Sequence, residues 1–105
     1  MALKRWTIDS FTTSGGTEQK TLVTAPSDKE VLLLSMFISN TSATTDANVG
    51  FELSNGATVK HEFTMEVPAG KLLDLNHKMT LVQNDKIKIT SDVDELSVMT
   101  SGMEF

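Results

Sequence analysis

Four groups of side chains in this chain carry atoms from which a reactive or binding site could be assembled. They are the histidines His61 and His77, the acidic turn Asp92, Asp94 and Glu95, the carboxylates Glu62 and Glu66, and the hydroxyls of Ser35 and Ser101. Catalytic zinc takes three protein ligands, and no third ligand follows the two histidines at a zinc-binding spacing. His61 shares parity with Val59 and Phe63, which predicts a partly buried, hydrogen-bonded residue at the edge of a core. The acidic turn offers alternating oxygens of the kind calcium takes. It lacks the glycine and distal bidentate Glu of an EF-hand loop, and three carboxylates fall short of the six or more oxygens required. A solvated turn is the reading adopted, with a rim contact to a lysine of a neighbouring subunit as a further use.

No Gly-x-Ser-x-Gly elbow surrounds either serine, so a serine-histidine-aspartate arrangement has no local support. Glu62 and Glu66, a candidate carboxylate pair for glycoside hydrolysis, point to one face of a strand, but they alternate with Phe63, Met65 and Val67, which predicts a solvent-facing role. Gly70 and Gly102 precede no helix with a Lys and a Ser or Thr, so they read as turn residues rather than a phosphate loop. Trp6 could be a sugar platform or a subunit anchor, and half-buried core is the reading adopted. With one Trp and no Tyr, a sugar-stacking surface is poorly supplied. No catalytic, cofactor-binding or metal-ligating residue is assigned, no cofactor is implied, and the chain reads as not an enzyme.

The elements that would position such groups follow from period two. Val49, Phe51 and Leu53 run into Asn55 and Gly56, after which Val59, Phe63, Met65 and Val67 follow at steps of two or four. Apolar residues at alternate positions mark one-sided strands, and Asn-Gly supplies the positive φ angles of a two-residue hairpin. The spacing predicts about eight strands. The first, through Trp6 and Ile8, ends near Thr13, before Ser14, Gly15 and Gly16; the second, 17–25, stops at Pro26. Val31 to Asn40 is the central strand, with Leu32, Leu34, Met36 and Ile38 on one face and Val31, Leu33 and Phe37 on the other, both expected to be buried. Residues 40–48 form a polar loop, Pro68 to Gly70 a turn, and further strands run through Leu72 to Leu75, Met79 to Leu81, Ile87 to Ile89 and Leu96 to Thr100, with room for one helical turn in 69–79. The fold class is all-β: a single antiparallel β-sandwich or jelly-roll-like domain over 1–105, with 1–13 a docking arm or edge strand.

Composition bounds the partners. A chain of 105 residues with 39% hydrophobic content makes one domain with a modest core. A net charge of -5 opposes phosphate tracking, so no nucleic-acid partner is expected. There is no cysteine, hence neither a disulfide framework nor a thiolate site. The apolar run 31–38 is far short of a bilayer span, so no membrane partner is expected. The start, Met1 to Trp6, turns polar at Thr7 and Asp9 and lacks the apolar stretch of a secretory signal, so the mature chain is expected to begin there.

Ile38, Ser39, Asn40 and Thr41, then the turn Val67, Pro68, Ala69 and Gly70, then Leu81, Asp85, Ile87 and Ile89, and the closing Leu96 to Val98 and Ser101 to Glu104, together resemble small bacteriophage virion proteins of the decoration, neck or tail-accessory kind. The likeness covers about seventy residues, judged by turn and strand signals. It implies a non-enzymatic virion structural protein that decorates or cements a capsid or joins neck or tail components. It also implies a homo-oligomer or array whose partners are other virion proteins, assembled in the host cytoplasm. Leu3, Trp6, Ile8 and Phe11 are the expected interface, because they present apolar area near a chain end; pairing of this arm within its own sheet is the alternative. The alternative function is a small ligand-binding β-sandwich, such as a carbohydrate-binding or host-adhesion module, which would expose aromatic or carboxylate groups in a groove where the structural protein exposes apolar patches.

Overall fold

Alternating apolar residues and turn chemistry build strands throughout the chain. The structure is a computed structural model that describes residues 2–75 and 78–105. Nine strands form among the described residues: β1 (Ala2–Ile8), β2 (Glu18–Thr24), β3 (Val31–Asn40), β4 (Ala47–Asn55), β5 (Thr58–Val67), β6 (Leu72–Leu75), β7 (Met79–Leu81), β8 (Asp85–Ser91) and β9 (Leu96–Glu104). The first sheet runs β1-β9-β3, with β6 and β7 both pairing β3 along its far side, and the second runs β2-β8-β4-β5. Every pairing is antiparallel; β4 with β5, β3 with β6 and β7, β2 with β8, and β1 with β9 are nested, and β9 with β3 and β8 with β4 join these rungs into the sheets. This is one long hairpin rolled over so that successive rungs alternate between two sheets, the jelly-roll form of a β-sandwich.

The core lies between the sheets. Val31, Leu33, Ile38, Leu96 and Val98 from the first sheet meet Val49, Phe51, Ile87 and Ile89 from the second, all buried. Phe11 and Ala25 close the ends from loops.

β3 is where parity and structure part. Leu33 pairs with Gly102 but Ser35 pairs with Ser101, so Leu34 is an extra residue, a β-bulge. The insertion flips the alternation. Val31 and Leu33 point inward before it and Met36, Ile38 and Asn40 after it, all five buried. Leu32 and Phe37 turn outward and remain partly exposed, so the expected burial of both β3 faces does not occur within this chain. Thr100 Oγ1 donates to the Ser35 carbonyl at 2.6 Å, supplying the bulge with a partner that the ladder does not.

Gly102 is therefore no turn residue but an interior position of β9. A Cβ there would overlap the Leu32 carbonyl oxygen and come within 3.0 Å of Leu33 Cα. Other local expectations shift less. β1 ends at Ile8, and the hairpin loop is Gly56–Ala57 rather than Asn55–Gly56, with φ of +59° at Gly56 alone, the pattern of a type II′ turn. Lys71 N–H donates to the Pro68 carbonyl across a turn with Gly70 at φ +72°, so 68–71 is a β-turn and β6 begins directly after it.

Gly102→Ala forces backbone against backbone and is expected to cost about 2–4 kcal/mol in urea unfolding. Gly16→Ala, whose added carbon meets only Thr13 O at 3.6 Å, should change stability by less than about 1 kcal/mol. Equal effects at the two glycines would contradict the close approach at the bulge.

Candidate functional site

The side chains singled out from the sequence do not converge. Ser35 and Ser101 are cross-strand partners whose hydroxyls lie 3.0 Å apart. His61 is exposed on β5, the edge strand of the other sheet, where the bulge at Lys60 and the open margin leave it uncovered; the expected partial burial is not realised. His77 lies outside the described residues. Glu62 and Glu66 are exposed on β5, four residues apart and hence about 13 Å along the strand, beyond the roughly 5–9.5 Å separation of glycosidase carboxylates.

The acidic turn is structural. Asp92 accepts the Asn48 N–H at 2.8 Å and the Asn48 amide at 3.0 Å, holding the start of β4. Asp94 Oδ1 accepts the Thr13 N–H at 2.8 Å and the Thr13 hydroxyl at 2.7 Å, which hold its carboxyl below the usual range and tether the 9–17 loop. The Glu95 carbonyl accepts from Thr41. Among the described residues no three His, Cys, Asp or Glu side chains gather as a metal site would require.

Asn40 and Asp85, read from the sequence only within the phage likeness and as strand or turn residues, are buried polar hubs. Asn40 donates its amide to Thr45 O at 2.8 Å and Val67 O at 3.0 Å and accepts Ser42 N–H at 3.0 Å, so it ties the polar loop and the end of β5 to β3. Asp85, 2% exposed, accepts from Asn55 Nδ2 at 2.9 Å, Lys60 Nζ at 2.9 Å and Val82 N–H at 3.0 Å. It thereby joins β4, β5 and β8 at one end of the sandwich. Burial alone raises its pKa, but the Asn55, Lys60 and Val82 hydrogen bonds and the Lys60 charge outweigh it and hold the carboxyl below its ordinary 3.8. Outside that likeness nothing in the sequence marks either residue as buried: each sits in a Ser, Thr, Asn or Gln-rich turn like the exposed ones.

Of the four expected interface residues, Ile8 and Phe11 are buried in this chain's own core, and Trp6 is half-buried against it. Leu3 is 75% exposed. β1 pairs with β9 as an edge strand of the first sheet.

The outer faces of the two sheets differ in kind. On the second sheet, β4, β5 and β8 turn out Asn48, Glu52, Glu62, Glu66, Lys86 and Lys88. On the first, cross-strand rows turn out Leu3, Met103 and Leu32, then the polar Arg5, Ser101 and Ser35, then Met99 and Phe37 flanked by Thr7 and Asp74, with Leu72 on β6 beyond them beside Ser39 and Ser97. Leu72 is 59% and Met99 37% exposed. An antiparallel sheet with one solvated face normally alternates apolar-in and polar-out, as the second sheet does; the first mixes large apolar residues with the polar ones on its outer face.

No family model, no curated protein and no solved structure matches this chain.

The depressed Asp85 pKa sets a pH dependence. The unfolded carboxyl binds its proton more readily than the folded one, so the contribution of Asp85 is present above about pH 4 and fades as pH falls towards the folded value. Asp85→Asn is expected to cost about 1–3 kcal/mol at pH 7, with the gap to the wild type shrinking in urea titrations between pH 5 and pH 2. A gap independent of pH would contradict the ionised hub.

Proposed function

We propose that this chain is a non-enzymatic structural protein of a bacteriophage virion, decorating or cementing a capsid or joining neck or tail components, and that copies contact one another through the outer face of the first sheet. The observation that carries the reading is the set of six large apolar side chains, Leu3, Leu32, Phe37, Leu72, Met99 and Met103, turned out among polar neighbours on β1, β9, β3 and β6, where the outer face of β8, β4 and β5 turns out charged ones. Large apolar side chains gathered on one sheet face mark association surfaces. The sequence likeness to phage decoration, neck and tail-accessory proteins supplies the setting. Leu3 belongs to this face, while Ile8 and Phe11 act by anchoring β1 and the following loop from inside.

Light scattering of the purified chain over a wide concentration range tests the contact. The expected result is a defined oligomer. Leu72→Lys with Met99→Lys, both at exposed positions, should weaken association at least tenfold, since each removes on the order of 1 kcal/mol of apolar burial, while leaving the thermal midpoint nearly unchanged. A strict monomer at all concentrations, or an oligomer indifferent to both lysines, contradicts the proposed face. Genes for a capsid, portal or tail protein beside the coding sequence would support the virion setting, and a metabolic operon would count against it.

A further inference from the structure

The bulge in β3 and the break in the sheet margin fall at the same level of the sandwich. β7 pairs with Val31–Leu33 and β6 with Met36–Ser39, so the bulged segment lies between the two pairings. Opposite it, β5 contributes Phe63, stacked on Phe51 at 4.8 Å between ring centroids and 19° between planes. Phe51 is buried and Phe63 is 46% exposed, so the ring pair runs from the core to the surface. Beneath the pair is a cavity of about 170 Å³, walled further by Leu33, Met36, Leu75 and Met79.

We propose that this cavity is a binding site for a free, neutral small molecule that inserts a single aromatic ring. Volume is the first reason: an engineered cavity of about 150 Å³ lined by Leu, Ile and Phe stays dry and takes benzene. Charge is the second. Among the described residues no lining side chain is ionisable, so a charged ligand would lose its hydration without a partner there. The two polar residues at the wall are already committed, Thr100 to the Ser35 carbonyl and the Ser35 hydroxyl to Ser101, which leaves little to hold a water. The Phe51–Phe63 pair offers a ring a stacking or edge contact, and the two methionines adapt to its outline. The site lies between the sheets, on the opposite side of the first sheet from the association face, and its existence is independent of the oligomeric reading.

The test uses benzene as probe and the intact chain labelled with ¹³C in its methionine methyls, of which there are six. Met36 and Met79 line the cavity, whereas Met99 and Met103 lie on the outer face. Saturable ring-current shifts at Met36 and Met79, with Met99 and Met103 unmoved, are the expected result. Leu75→Trp, which fills the space from the sheet margin, should abolish the shift at Met36 while the remaining methyl resonances keep their folded dispersion. Shifts that grow linearly at all methionines, no shift at Met36 and Met79, or undiminished saturation in a folded Leu75→Trp variant would each overturn the proposal. The wild-type titration decides the matter even if that variant does not fold.

Discussion

The inserted Leu34, with Gly102 opposite it, is the constraint on which the rest of this structure depends. Side-chain direction in a strand has period two, so one extra residue reverses every assignment beyond it. Without the bulge, a strand that buries Val31 and Leu33 would send Met36, Ile38 and Asn40 to the surface. With it, all five reach the core. The reversal has a complement, because Leu32 before the bulge and Phe37 after it both go outward, and they meet Met103 and Met99 of β9 there. The same feature thus sets what the core contains and what the outer face offers. Gly102 is the steric condition for it and Thr100 the hydrogen-bonding one.

Two buried polar residues close the rolled hairpin at its ends. Asp85 binds the β4–β5 hairpin to β8, and Asn40 fixes the loop by which β3 crosses to β4. Asp85 needs Asn55 and Lys60, and Asn40 needs Val67, all distant in sequence, so each is completed only once the long-range pairing has formed. A buried group with all its partners costs little, whereas the same group without them is expensive, and mispaired arrangements are penalised accordingly. Specificity for one jelly-roll register is the physical consequence.

The alternation of Val49, Phe51 and Leu53, the ten apolar and polar residues of β3, and the turns at Pro26 and Pro68–Gly70 were enough to read an all-β sandwich, because strand period and turn chemistry are local. What depends on a partner strand was not legible. Nothing in Leu33-Leu34-Ser35 announces a bulge; the decisive residue, Gly102, is 68 positions after Leu34 and looks like a turn glycine. Asp85 resembles any acid in a turn until Lys60 and Asn55 are brought to it. Phe11, apolar near a chain end, reads equally as an arm or a core plug, and the fold makes it a plug. The apolar content of both β3 faces was visible in the sequence; that one face stays open within the chain required the bulge.

A small sandwich that turns six large apolar side chains out from one sheet offers, in the proposed reading, a face for association to cover. The long edge strand β5 bears exposed Val59 and Phe63 and is the competing surface, since an unpaired edge can recruit another chain by strand addition. Hydroxyl-radical footprinting of the intact chain, read residue by residue as concentration is raised through self-association, separates the two. The account predicts that Phe37, Leu72, Met99 and Met103 lose reactivity together while Phe63 keeps its own. Protection of Val59 and Phe63 with the outer face of the first sheet unchanged would contradict it.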